Sequence, residues 1–215
     1  GRLREFWSYF RENRGAVIGL YVFAVLVVLA LTANIIAPWD PTLQNREATL
    51  VPPAWQEGGS WPYLLGTDPL GRDILSRLLY GAQLSFLVGI GVVILASTGG
   101  ILIGLIAGFA PKWLDTIIVR IMDIILSFPA LLLALVLVAI LGPTLMNAMI
   151  AIAIAYQPHF VRLTRAAVLT EKNKDYVISA RVAGAGRARL MFITVLPNCL
   201  APIIVQAALS FSNAI

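Results

Sequence analysis

His159 and Cys199 are the only histidine and the only cysteine in the sequence. Their isolation excludes a zinc cluster, a His-ligated haem pair and a disulfide framework within the chain. No lysine follows a glycine anywhere, so the Gly-Lys pair of a phosphate-binding loop is absent and ATP has no such cradle here. Nucleophilic or acid–base chemistry needs a His/Asp/Ser grouping at one face, and no such grouping occurs. His159 lies near the end of an apolar block, where an interfacial histidine is a plainer reading than a ligand or relay. Two polar constellations remain. In Leu65–Arg77, Asp68 can cap a helix whose first turn holds Pro69, which lacks the N–H that would be orphaned there. Arg72 follows one turn later, suited to an i,i+4 ion pair. In Asp175–Gly186, the small residues Ser179, Ala180, Ala183, Gly184, Ala185 and Gly186 form a patch with Arg181, Arg187 and Arg189 around it. Such a patch permits close approach by another surface; an ordinary basic loop is the alternative.

The elements that must position these groups are apolar. Hydrophobic residues make up 59% of the chain and charged ones 13%, against about 25% charged in soluble domains. Four blocks carry no Asp, Glu, Lys or Arg: 15–39, 78–111, 124–161 and 190–215. A membrane helix needs about 20 apolar residues, so the third block holds two spans, with the reversal at Gly142-Pro143. The first block is too long for the core of a secretory signal. The expected fold is all-α and membrane-integral, with five helices near 16–38, 82–110, 117–141, 144–163 and 194–215. The double small-xxx-small register of Gly100, Gly104 and Gly108 lines one face of the second helix for close backbone packing. Pro129 falls inside the third and removes a backbone hydrogen bond there. Arg120 and Asp123, three apart, are expected to pair.

Alternating the sides puts thirteen basic residues on one face of the membrane and three on the other. The positive-inside rule then places 1–15 and 164–193 in the cytoplasm and 40–77 outside. This bias accounts for the pI of 9.7 without nucleic acid. With five spans the C-terminus would lie outside, so a sixth helix beyond Ile215 is expected. No charged residue lies at mid-bilayer, which argues against a proton relay. Trp39, Trp55 and Trp61 mark the outer segment as meeting either a soluble partner or the lipid headgroups.

The segment 178–197 resembles the coupling loop of ATP-binding-cassette importer permeases, patterned E-A-A-x3-G-x9-I-x-L-P. Ala180, Gly184 and Leu196-Pro197 match; Ile178, Ser179 and Thr194 depart from the pattern. Gly66-Thr67-Asp68, Gly71-Arg72-Asp73 and Ser76-Arg77 are similar to the G-T-D-x-x-G-R-D-x-x-S-R signature of peptide and nickel importer permeases. Residues 10–16, 52–60 and 158–167 look like the C-type permease of dipeptide importers. The resemblance implies that the loop docks on an ATPase subunit and that a sixth span follows Ile215. It also implies a homologous B-type permease, two ATP-binding subunits carrying ATP and Mg2+, and a periplasmic binding protein, with no cofactor in this chain. The expected function is a permease subunit that imports small peptides across the bacterial inner membrane, surrounded by lipid. Nickel or haem import within the family, a membrane-embedded enzyme and a stand-alone carrier or channel stay open.

Overall fold

The computed structural model describes residues 7, 8 and 10–215. Arg2 and Arg4, counted above with the basic face, lie outside the described residues, as does part of the 1–15 segment. The described helices are α1 (Arg14–Ile36), α2 (Ile74–Phe109), α3 (Lys112–Leu126), α4 (Ala130–Leu141), α5 (Leu145–Glu171), α6 (Asp175–Val182) and α7 (Arg187–Ala214). No strand occurs among the described residues; Thr67 and Asp73 form one isolated bridge. The chain divides into two compact units, 1–87 and 88–215, with the boundary inside α2.

Among the described residues three helices are long and apolar enough to cross a membrane: α1, α2 and α7, with mean hydropathies of 2.7, 2.4 and 1.8. The span expected at 117–141 is instead two helices, α3 and α4, bent by 93°. Counted as one broken span, they make a fourth. Ser127 ends α3, its N–H reaching the carbonyls of Asp123 and Ile124 and its hydroxyl that of Ile124, at 2.6 Å. Pro129 then opens α4 at its N-cap, where a missing N–H costs nothing. The proline therefore breaks the element rather than kinking it.

In the first unit, Asn13 caps α1, its Oδ1 accepting from the Ala16 N–H at 3.1 Å. Only Ala30 and Ala33 of α1 are buried. A long string of turns follows, until α2 begins at Ile74, eight residues before the expected start. In the second unit α5 is the central helix, with ten buried residues, and it packs on α3, α4 and α7. Asn147, Gln157 and His159 dilute its hydropathy, which a helix enclosed by other helices tolerates better than one facing lipid. The reversal into α5 lies at Gly142-Pro143. Gly142 takes φ +98°, and the Asn147 amide donates to the carbonyls of Leu141 and Gly142.

The last helix also starts early, at Arg187 rather than 194. Its Leu190–Val195 stretch is a π-helical turn. The wider i→i+5 turn there lets Leu190 and Val195 both reach the core, and Cys199 and Ile203 continue the face at α spacing. Pro197, expected at the start of a helix, lies just beyond this turn.

Candidate functional site

Between α5 and α7 the chain forms the small-residue patch. Helix α6 rests on the core through Val177, which is fully buried, with Ala180 and Ala185 partly buried against the same cluster. Ser179, Arg181, Ala183, Gly184 and Gly186 are exposed, as are Ile178 and Val182, one turn apart and 46% and 83% exposed. The end of α6 has a specific geometry. The Ala185 N–H donates to the Ala180 carbonyl at 3.0 Å and the Gly184 N–H to the Arg181 carbonyl at 3.0 Å. Gly184 takes φ +86°. This is a Schellman cap, whose left-handed position favours glycine. A Cβ on Gly184 would meet nothing within 4 Å, so the glycine answers a backbone need and leaves open space above it.

Three residues that sequence reasoning passed over fix this loop at its base. The Glu171 carboxylate, 8% exposed at the end of α5, accepts from the Tyr176 hydroxyl at 2.5 Å and pairs with Lys174 Nζ at 2.7 Å. The Lys174 and then the Tyr176 hydrogen bonds hold the Glu171 carboxyl below the usual range. Desolvation, followed by the same carboxylate, pushes the Tyr176 phenol up to about 12. Glu171 and Lys174 have the i,i+3 spacing of an ion pair, but Tyr176, five residues after Glu171, has no periodic relation to it, so nothing in the sequence marked the three as a network.

The same end of α5 is tied to α2 and α3. Lys172 Nζ donates to the Gly108 carbonyl at 2.7 Å, satisfying an orphan acceptor at the end of α2. Arg165 makes a two-pronged pair with Asp115 of α3, at 2.5 and 2.6 Å. Asp123 pairs with Arg162, not with Arg120 as its spacing suggested; a partner 39 residues away reaches it across two helices. Gly100, Gly104 and Gly108 lie against Phe160, Thr164 and Val168 of α5, spaced i, i+4, i+8 on both helices. A Cβ on Gly104 would stand 2.7 Å from the Thr164 Cβ and 2.8 Å from the Val161 carbonyl oxygen. His159 is exposed on α5, its ring centroid 6.4 Å from that of Tyr156. An apolar cavity of about 460 Å³ between α4, α5 and the end of α7 is lined by Ala130, Leu135, Ile152 and Tyr156 among others, with no charged side chain.

In the first unit the Gly66–Arg77 signature forms a clasp. Asp68 caps a turn, not a helix: its Oδ1 accepts from the N–H groups of Leu70 and Arg72 at 2.9 and 3.0 Å. Its Oδ2 meets the Arg72 guanidinium at 2.7 Å. Partial burial raises the Asp68 pKa, but the Arg72 and Leu70 hydrogen bonds outweigh it and hold the carboxyl below its ordinary value. The helix cap falls to Asp73, 1% exposed, whose Oδ2 accepts from the Ser76 N–H and hydroxyl, both at 2.7 Å. Ser76 Oγ in turn accepts the Trp39 N–H at 3.1 Å, joining the exit of α1 to the start of α2. Thr67 donates to the Ala48 carbonyl and accepts from the Val51 N–H. Gly66 and Gly71 take φ of +82° and +72° against the backbone of Val51 and Asn45, which leaves no room for a Cβ. Gly66, Thr67, Asp68, Gly71, Arg72, Asp73 and Ser76 thus each make a contact that shapes this segment.

Residues 100–215 match the family described as binding-protein-dependent transport system inner membrane component, and the chain belongs to it. Residues 1–53 match the N-terminal TM domain of oligopeptide transport permease C. The chain is 56% identical over 213 residues to a dipeptide transport system permease protein of Haemophilus influenzae, covering 99% of this chain and 72% of that protein. Its likeness to the dipeptide transport system permease protein of Escherichia coli K12 is 59% over 213 residues, covering 99% of this chain and 71% of that one. A di/tripeptide transport system permease protein of Pseudomonas aeruginosa is 57% identical over 213 residues, 99% of this chain and 70% of the relative. The membrane-enzyme and stand-alone-carrier readings give way to a transport permease.

Proposed function

We propose that this chain is a permease subunit of an ATP-driven importer of dipeptides and other small peptides, with its N-terminus and the α5–α7 loop in the cytoplasm. The observation that carries the substrate class is the 56–59% identity, over nearly the whole chain, to permeases named for dipeptide transport. The proposed complex adds a homologous permease, two ATP-binding subunits that hold ATP and Mg2+, and a periplasmic binding protein that selects the peptide. Helix α6 is the docking element for an ATP-binding subunit. It offers an exposed apolar pair, Ile178 and Val182, beside small residues and basic side chains, while Val177 and the Glu171–Tyr176–Lys174 network hold its base. Movement of α6 passes into α5 and α7 through these contacts.

The test is the ATPase rate of the complex in lipid, with and without loaded binding protein. Dipeptide-loaded binding protein should stimulate it. The geometry at Gly184 supplies a paired control. Gly184→Ala and Gly184→Leu carry the same backbone cost of about 1–2 kcal/mol, and a Cβ at this position meets nothing within 4 Å in this chain. Only the leucine would obstruct a partner at close range. Stimulation kept in Gly184→Ala and lost in Gly184→Leu establishes docking here; equal behaviour of the two removes Gly184 from the interface. A complex stimulated by nickel- or haem-loaded binding protein instead would keep the permease and change its cargo.

A further inference from the structure

Helix α3 is amphipathic in the opposite sense to a helix facing water. Trp113, Ile117, Ile121 and Ile124 recur along one face and are 65%, 48%, 48% and 61% exposed. Asp115 turns inward to Arg165 of α5, Asp123 pairs with Arg162 at the exposed edge, and Met122 is buried. Water would favour the reverse arrangement, so an apolar medium must cover the stripe.

The ion pairs also bear on the direction of the helix. Asp115 and Asp123 are eight residues apart, about 12 Å along α3. Their partners are three apart, about 4.5 Å along α5. The shorter length on α5 accords with a steep crossing of α3 over α5. Helix α4 packs on α5 as its antiparallel neighbour across the tight Gly142 reversal, and α3 is turned 93° from α4. The 93° bend therefore sets α3 across the direction in which α4 and α5 run, and the spacing of the ion pairs is compatible with it.

We propose that α3 lies in the plane of the membrane surface, its Trp113-Ile117-Ile121-Ile124 stripe among the acyl chains of a phospholipid leaflet. The stripe continues through Phe128 into the exposed apolar face of α4, where Leu131, Leu132 and Leu135 are 71%, 56% and 58% exposed. That continuity assigns lipid as the occupant. Lys112 and Arg120, both exposed, complement anionic headgroups at the same level, and Trp113 suits the interface. The ion pairs to α5 then fasten a surface-lying helix to the element that carries the α6 loop.

Depth measurement tests this in the full-length permease, kept in its native assembly and reconstituted in nanodiscs containing anionic phospholipid. Cys199→Ala and replacement of any cysteine outside residues 1–215 or in the partner subunits clear the background, and nitroxides are attached one at a time through Trp113→Cys, Ile117→Cys, Ile121→Cys and Ile124→Cys. All four sites are exposed, so the labels leave the core in place. Relaxation by oxygen against a water-soluble nickel chelate reports the depth of each. The expected result is oxygen access at all four with depths agreeing within about 5 Å, some 5–10 Å into the headgroup–acyl boundary. A steady change of about 16 Å from Trp113 to Ile124, as in a helix along the bilayer normal, overturns the proposal. Exclusion of both reagents from all four sites overturns it too, because another protein then covers the stripe. The readout needs neither substrate nor ATP, so its outcome is separate from that of the transport assay.

Discussion

Asp68 and Asp73, five residues apart, hold different parts of one clasp. Asp68 draws the Leu70 and Arg72 amides and the Arg72 guanidinium onto one carboxylate. Its pKa lies below the ordinary value of about 4, so the folded turn favours the ionised form. The contribution is complete above that ordinary value and is lost as the pH falls through the depressed one. Amide exchange at Leu70 and Arg72, corrected for its intrinsic pH dependence, should therefore accelerate in acid. In Asp68→Asn it should already be fast at neutral pH and show no further acid step. The Asp68–Arg72 pair was legible from its spacing, but the helix it was assigned to was not. A cap belongs to whichever residue precedes the first hydrogen-bonded turn, and that choice went to Asp73, because Ser76 offers it both an N–H and a hydroxyl. The local difference between the two aspartates is the residue three further on, Gly71 after Asp68 and Ser76 after Asp73, and Pro69 drew the helix assignment to the wrong one.

At the scale of elements, the uncharged blocks located α1, α2 and the last helix, because lipid demands length and apolarity that are visible residue by residue. Breaks within the blocks were less visible. A proline in an apolar run can kink, cap or separate helices, and the Ser127 hydroxyl together with the ion pairs on α3 decided for separation at Pro129. Those ion pairs were hidden because their members lie 39 and 50 residues apart. They should also differ in strength. The Arg165 and Asp115 side chains are 29% and 18% exposed and meet through two prongs, whereas Arg162 and Asp123 are 51% and 38% exposed. A two-pronged, partly buried pair outweighs an exposed one. Arg165→Ala is thus expected to destabilise by roughly 1–3 kcal/mol and Arg162→Ala by about 1 kcal/mol or less. Thermal unfolding in detergent, followed by loss of helical signal, should rank the two in that order. An equal or reversed ranking would mean that α3 is held mainly by Met122 and its apolar neighbours.

For the molecule as a whole, the asymmetry of basic residues carries the topology. A lysine or arginine flanking a span resists transfer across the inner membrane during insertion, and the count falls thirteen to three between the two faces of the proposed arrangement. Residues 172–189 contribute Lys172, Lys174, Arg181, Arg187 and Arg189, while residues 40–77 contain five acidic residues against Arg46, Arg72 and Arg77. Both segments expose positions suited to a chemical test, Arg187 in the first and Glu57 in the second. Cys199 is 1% exposed and so gives little background. In intact cells, a membrane-impermeant maleimide should label Glu57→Cys directly. It should label Arg187→Cys only after the membrane is opened. The opposite pattern would put α6 on the outer face, away from any cytoplasmic ATP-binding subunit, and would defeat the coupling role of that helix whatever the complex transports. Labelling of both sites in intact cells would mean a mixed orientation, in which the arginines of the loop are insufficient to fix the sides.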